Sequence, residues 1–361
     1  MSSDLKELRD QINRMDREIV RLIRNRIGIV REIAKMKKEK GIPIFDLRRE
    51  EELYRGIRSE AKRLGLDESD IEAIFREIVS VSRKIQGEET SVAFLGPRGT
   101  FAEEAAREIF PESGTRFVAC SSIFDTFRAV SSGGAMYGVV PVENSSEGSV
   151  NATLDLLLDS DLMVRGEIDL SVSHNLIVPP GKTLKDIKVI LSHPQALAQC
   201  RRYLEEHFPA AELRDASSTS TAVEALRNLE NAAAIGTSLA ARIYKMEIAA
   251  EAIQDSSQNY TRFFVLSKND HDPTGRDKTS IVFSVKHVPG ALYSVLQIFA
   301  ENGLNLTKIE SRPTKRKQWE YIFFIDFEGH RSSKVVAEAL QKLRERTLFL
   351  KILGSYPRRS S

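Results

Sequence analysis

Residues 91–101, SVAFLGPRGTF, mark the point at which the 361-residue chain changes texture. SVAFLG is a short apolar run closed by glycine, and Thr100 then offers a helix start, so the stretch reads as strand, turn, helix. Ahead of it, residues 1–90 hold 21 basic and 19 acidic residues but only three aromatics. Charge at that density, with periodic Leu and Ile, means helices with wide solvated faces. Behind it, apolar runs such as YGVVPV (137–142), IKVILS (187–192) and RFFVLS (262–267) alternate with helical patterns, as in an α/β sheet domain. A polar stretch, NDHDPTGRDK (269–278), leads into IVFSV, GALYSVLQIFAENG, LTKIES, YIFFIDF, SKVVAEALQKLRER and FLKILG. That order is βαββαβ, the ferredoxin-like plan. The expected fold class is therefore multidomain: an all-α domain over 1–90, an α/β domain over 91–268, and a βαββαβ ferredoxin-like domain over 279–357.

Composition excludes several function classes. With 53 Lys and Arg against 51 Asp and Glu, the net charge of +2 gives no general attraction to nucleic acid or anionic lipid. No stretch free of charged residues runs past 14 positions (129–142), too short to cross a bilayer. Asp4, Lys6, Glu7, Arg9 and Asp10 leave no secretory apolar segment at the start. Cys120, Cys200 and six scattered histidines offer no metal or disulfide framework. The expectation is a cytoplasmic protein without metal or cofactor, and without nucleic-acid or membrane partners.

In the helical zone, apolar residues recur at Leu5, Leu8, Ile12, Met15, Ile19 and Leu22; the series then meets Arg26 before resuming at Ile29 and Ile33. A helix this long cannot be covered by the other two helices of the zone, so it is expected to pack against a partner chain. Lys37 lies 11 residues beyond Arg26, about 20° away around the helix, and shares its face. Arg9 is about 100° away and should serve a different cavity, that of the partner. Asp46, Arg49 and Glu50 share a face of the second helix. The third helix reads as starting in a capping box from Ser69 to Glu72. Its seam of Ile71, Phe75, Ile78 and Ile85 is broken by Ser82, with Gln86 one turn beyond. Cations intruding on apolar seams need anionic partners, so the zone is expected to enclose a small anion.

Arg9, Arg26, Lys37, Asp46, Arg49, Glu50, Ser82 and Gln86 resemble, in order and spacing, the active-site pattern of the all-helical chorismate mutase family over residues 4–86. The resemblance implies a pericyclic conversion of chorismate to prephenate that needs no nucleophile or metal, only folding of the dicarboxylate and stabilisation of the ether oxygen. Arg26, and Arg9 from a second protomer, would clamp carboxylates. Lys37 and Gln86 would donate to the ether oxygen. Glu50 and Asp46 would hold the ring hydroxyl, with Arg49 and Ser82 in support. A glutamine at position 86 needs no proton to donate, so the rate should be little affected by acid.

In the α/β zone, ligands are expected at the carboxyl ends of strands. The residues there are Thr100 after SVAFLGPRG; Glu143, Asn144, Ser145 and Ser146 after VVPV; Ser192, His193 and Gln195, then Gln199; a Ser/Thr run at 217–221; and Asn259, Tyr260, Thr261 and Arg262 before the last apolar run. Helix starts with free N–H groups favour a polyanionic ligand, although Ser or Thr before a helix is most often a cap. His193 reads as a hydrogen-bonded structural residue rather than a base. No GxGxxG follows a strand, which argues against a dinucleotide fold. Together GPRGTF, VVPVENS, SHPQALAQC, SSTSTA and NYTRFFVL resemble the motif series of prephenate dehydratases. That family's fold is two α/β lobes, like a periplasmic binding protein, closing on ligand. The resemblance implies that Thr261 protonates the leaving hydroxyl of prephenate as CO2 departs, with Glu143, Asn144, Ser192, Gln199 and Arg262 placing the substrate.

In the last zone Pro289, Gly290, Ala291 and Leu292 open the first helix, and Glu310, Ser311, Arg312 and Pro313 are expected between the second and third strands. This arrangement resembles the ACT regulatory domains of prephenate dehydratases, which bind phenylalanine between paired domains. His287 and Val288 replace a charged pair often found there, and residues 314–317 make the following loop basic. The resemblance implies a homodimer or higher oligomer inhibited by L-phenylalanine. A rival reading is a non-catalytic sensor of small anions or amino acids carried on a helical dimerisation module; the cations in the helical seams speak against it.

Overall fold

The computed structural model describes residues 3–40, 47–86, 90–256, 258–313 and 321–358. These form two compact units, one running to Thr90 and including Phe110–Arg116, the other comprising Ser91–Ile109 and the chain from Phe117 onward.

The first unit is built on α1 (Ser3–Lys40), α2 (Leu47–Arg63) and α3 (Glu68–Gln86). At ~1.5 Å per residue, α1 is an unbroken rod of about 57 Å. The start of α3 lies two residues earlier than the capping box suggested. Asp67 is its cap, accepting the Ser69 and Asp70 N–H groups at 2.9 and 3.0 Å. Both α1 and α2 pack on α3, with Val30, Ala61 and Val79 buried. The apolar seam of α1 takes no part in this. Leu5, Leu8, Ile12, Met15, Ile19, Leu22, Ile29 and Ile33 are all exposed, between 41% and 62%. Arg26, placed in that seam by the sequence pattern, turns instead toward α3, because the helix carries a second stripe through Ile23, Ile27 and Val30.

The second unit begins with β1 (Thr90–Leu95), α4 (Phe101–Ile109), β2 (Thr115–Cys120), α5 (Ile123–Ser131), β3 (Tyr137–Asn144), β4 (Gly148–Ser149), α6 (Asn151–Asp159) and β5 (Met163–Ser171). There follow β6 (Asn175–Val178), β7 (Val189–Ser192), α7 (Pro194–Gln199), α8 (Arg201–His207), β8 (Glu212–Asp215), α9 (Thr219–Ala225), β9 (Ala232–Gly236), α10 (Ser238–Tyr244), β10 (Glu247–Ala250) and β11 (Tyr260–Ser267). One sheet has the order β2-β1-β3-β11-β5, with β4 beside β3; a second has the order β10-β6-β9-β7-β8. Both are mixed. β1 and β3 run parallel while β11 opposes β3; β7, β8 and β9 run parallel while β6 opposes β9. Each opposed strand therefore begins where the parallel strands end. This brings Thr261 opposite Asn144, and Asn175 opposite Gly236.

The chain closes with β12 (Asp277–Ser284), α11 (Ala291–Glu301), β13 (Leu306–Pro313), β14 (Tyr321–Glu328), α12 (Lys334–Arg346) and β15 (Phe349–Pro357), in the sheet order β13-β14-β12-β15. Alternation divides this third sheet between two cores. Ile281, Phe283, Ile325 and Phe327 pack under α11 and α12. Val282, Ile322, Phe324, Leu353 and Tyr356 join Val140, Val164, Phe264 and Leu266 of the first sheet in one continuous core. Gly354 marks the closest approach, since a Cβ there would lie 2.0 Å from the Val164 carbonyl oxygen.

Candidate active sites

Asn144 ends β3, and its amide is fixed by the turn that follows: Oδ1 accepts the Ser146 and Glu147 N–H groups at 3.0 and 3.2 Å. Its Nδ2 must then face the other way, where it donates to Thr261 Oγ1 and to Asn259 Oδ1, both at 2.9 Å. Asn259 Nδ2 donates to Gln199 Oε1 at 3.1 Å, and His174 Nε2 lies 2.8 Å from the same oxygen. Five side chains from both sheets thus form one polar chain. The chemical result is directional. Thr261 Oγ1 accepts, so its own proton remains for a ligand; Gln199 Oε1 is occupied twice, so its NH2 is the end that can face one.

Three expected site residues are elsewhere. Glu143 and Arg262 neighbour Asn144 and Thr261 in sequence, but strand alternation sends them to the opposite face. Lys308 donates to Glu143 at 2.8 Å. Arg262 donates to Glu167 at 2.8 Å and to Asp326 at 2.6 Å, and also to the Tyr356 hydroxyl. Lys278 completes this buried cluster on Glu167 at 2.8 Å. Burial opposes the Arg262 charge, but the Asp326 and Glu167 carboxylates more than offset it and its pKa is raised. Tyr356, fully buried, has its phenol pushed well above the usual value and stays neutral. Ser192 is buried too, its hydroxyl donating to Ile235 O at 2.8 Å.

The GPRGTF loop is braced from the second sheet: the Ser220 hydroxyl donates to Arg98 O, and Thr237 donates to Gly99 O at 2.8 Å. Thr100 accepts the Glu103 N–H at 3.4 Å as a cap, and Ser218 caps α9. His193 caps α7, its ring nitrogen accepting the Gln195 N–H at 3.3 Å, in the structural role expected of it.

In the first unit, a cleft of about 160 Å³ between α1 and α3 is lined by Ile23, Arg26, Ile27, Glu77, Ile78 and Val81. Arg26 reaches across it to donate to the Ser82 hydroxyl, which in turn donates to Ile78 O at 2.7 Å. Partial burial lowers the pKa of Arg26, with Tyr54 opposing the shift. Lys37 is half-buried and Arg9 exposed on the same helix. Arg49 and Glu50 fall within α2 and Gln86 ends α3; Asp46 lies outside the described residues.

In the third sheet, Gly290 caps α11 in the left-handed region (φ +79°), which accounts for glycine there. Ala291 and Leu292 open the helix half-buried. Glu310 to Pro313 do not form a loop between strands; they complete β13. Here too alternation divides a motif. Glu310 accepts from the Ser149 hydroxyl and lies 3.4 Å from Lys308, and Arg312 pairs with Asp155 at 2.7 Å, so both face the first sheet. Ser311 and Pro313 are exposed. The loop at 314–317 lies outside the described residues.

Sequence reading passed over His174, named Asn259 without giving it a role, and left Glu167, Lys278, Lys308, Asp326 and Tyr356 unassigned. Asn259 stands two residues before Thr261, a spacing that keeps one strand face, and its role could have been found. His174 had no such signal, because its place depends on the reversal of β6.

Residues 8–87 match the family model for chorismate mutase type II, residues 92–271 that for prephenate dehydratase, and residues 279–345 that for the ACT domain. The chain is 43% identical over 358 residues to the bifunctional chorismate mutase/prephenate dehydratase of Aquifex aeolicus, with 98% of each chain covered. It is 37% identical over 360 residues to the protein of that name in Pseudomonas aeruginosa, again with 98% of each covered. Among solved structures, a prephenate dehydratase from Arthrobacter aurescens in complex with L-Phe is similar at 36% identity and a TM-score of 0.68. That match covers 74% of this chain and 90% of the other.

Proposed function

The chain belongs to the bifunctional chorismate mutase/prephenate dehydratase family, and from that premise we propose how its own residues divide the work. It rearranges chorismate to prephenate and converts prephenate to phenylpyruvate, CO2 and water, under feedback inhibition by L-phenylalanine.

In the dehydratase, the carrying observation is the amide of Asn144, locked by two backbone N–H groups and donating to Thr261. Thr261 then holds its hydroxyl proton toward the substrate. As the ring carboxylate leaves as CO2, the electrons of the broken C–C bond enter the ring and the ring C–O bond breaks. Thr261 passes its proton to the departing hydroxyl, which leaves as water, and recovers one from solvent. Aromatisation supplies the driving force that so weak an acid needs. The Gln199 NH2 holds a substrate oxygen. The two sheets serve as the lobes of a periplasmic-binding-protein-like fold closing around prephenate.

In the mutase, Arg26 clamps a carboxylate of chorismate in the cleft beside Ser82, and Lys37 and Gln86 donate to the ether oxygen. Asp46 and Glu50 hold the ring hydroxyl, with Arg49 in support. Arg9 lies 17 residues before Arg26 on a straight helix, about 25 Å along the axis. It cannot reach the same cleft and serves that of a second copy, packed along the exposed seam of α1. The enzyme works as a homodimer or larger assembly in the cytoplasm. L-phenylalanine binds at the start of α11, on the helix-bearing side of the third sheet, where Ser311 also lies.

The test is to supply chorismate to the purified chain and follow prephenate and phenylpyruvate with and without phenylalanine. Sequential appearance of both, with phenylalanine slowing the second, is the expected result. Binding of either compound without turnover would support the sensor instead.

A further inference from the structure

His174 stands just before β6, at the edge where the second sheet meets the site. It is 2% exposed, and its Nδ1 is sealed from solvent with no hydrogen-bond partner. The ring meets the Phe101 ring edge-on, with centroids 5.5 Å apart. Its other nitrogen lies 2.8 Å from Gln199 Oε1. An amide oxygen can only accept, so Nε2 must carry the hydrogen. A proton on Nδ1 would then be a buried donor without an acceptor, so the ring is held neutral, in the tautomer that donates through Nε2.

The same reasoning runs through the whole chain of side chains. Asn144 cannot flip, because its oxygen is held by Ser146 and Glu147. Asn259 must therefore turn its oxygen to Asn144 and its nitrogen to Gln199. Gln199 must turn its oxygen inward, and that choice is stable only while both neighbours donate. With one donor lost, the amide can rotate and present an acceptor to the ligand where it now presents NH2.

We propose that His174 and Asn259 are positioning residues of the dehydratase: together they pin the Gln199 amide, so that its NH2 and the Thr261 hydroxyl face prephenate as a matched pair of donors. Neither touches the substrate. The inference rests on the dehydratase reading given above.

The test is prephenate turnover by the full-length chain carrying H174L, H174Q or N259D, with mutase turnover and thermal unfolding measured on each. Leucine removes the donor. Glutamine keeps an N–H2 near the position of Nε2. Aspartate sets a second acceptor against Gln199. H174L and N259D are expected to lower dehydratase kcat up to about 100-fold, the scale of a misplaced reacting group, while mutase turnover holds. H174Q should recover most of that loss. Unchanged kcat in H174L or N259D, or equal impairment of H174Q and H174L in folded protein, overturns the proposal. If H174L does not fold, N259D with H174Q decides. If the unaltered chain forms no phenylpyruvate from prephenate, it is the dehydratase reading that fails.

Discussion

In the helical unit the charged residues are strung along one rod, whereas in the α/β unit five polar side chains arrive from separated segments and close on one another. A straight helix cannot bring Arg9 and Arg26 together at any side-chain length. Strands that reverse direction can set Thr261 against Asn144 although 117 positions separate them. On the proposed reading the first arrangement needs a second copy to bring Arg9 to a cleft, whereas the side chains of the second meet within one chain. Two sites on one polypeptide should therefore respond to different perturbations.

The largest expected effect is at Thr261. Thr261→Ala removes the proton donor and should lower dehydratase kcat by about 10²–10⁴-fold, the usual range for a general acid. Conversion of chorismate to prephenate should be unchanged. Dehydratase turnover at the wild-type rate in this variant would remove the assignment.

Next in size is the face of β11 turned away from the site. Arg262→Leu leaves the Glu167 and Asp326 carboxylates buried without their main partner and should cost about 3–5 kcal/mol of stability, read from urea unfolding. The same chemistry at the surface is the contrast. Arg201 and Glu205 pair at 2.7 Å, but their side chains are 75% and 62% exposed, so Arg201→Leu should leave the urea midpoint almost unchanged. Similar losses in both variants would mean that burial of the Arg262 cluster carries no special weight.

Charge placed in the exposed seam sharpens the comparison from the other side. Met15→Glu falls outside the buried core of its own unit, where Met15 is 61% exposed. It should weaken association through α1 and lower mutase turnover on the order of 100-fold, because Arg9 no longer reaches the neighbouring cleft. Dehydratase turnover on supplied prephenate should persist. Sedimentation together with both rates checks this, and full mutase activity in a chain that no longer pairs through α1 would show that Arg9 does not act across copies.

Much of this was legible in the sequence, for physical reasons that differ by element. The helices and the βαββαβ tail follow from periodicity, which is local. Asn144, Gln199 and Thr261 stand at strand or helix ends, where motif reading looks. Failures came where strand alternation cuts through a motif: Asn144 and Thr261 went to one face, Glu143 and Arg262 to the other, and Ser311 parted from Glu310 and Arg312 in the same way. A run of neighbouring polar residues looks like one site in sequence, yet on a strand it is two. The direction of Arg26 was hidden for another reason, because a helix with two apolar stripes gives a border residue no unique direction.

The smallest effect separates the units by pH. Residues 1–90 contain no histidine or cysteine, while the α/β unit buries His174 and Cys200 and partly covers His271. Burial is the main cause that lowers the pKa of both histidines below the ordinary 6.5. Under acid, the unfolded chain takes up protons there that the folded chain refuses, so stability present above pH 6.5 is lost as pH falls from that value toward the depressed ones. Burial acts on Cys200 in the opposite sense, pushing its thiol from 9.0 up to about 12, so stability present below pH 9 is lost as pH rises through that interval. In the helical unit, burial raises the Glu72 carboxyl but its pairing with Arg58 and Arg76 outweighs this, leaving it below 4.5. Stability from that pair persists until the pH falls below that value. Thermal scans between pH 7 and pH 5 should therefore show the α/β transition moving down while the helical one holds. His174→Gln should flatten part of the slope. Two transitions that fall together over this range, or an unchanged slope in that variant, would locate the titrating groups elsewhere.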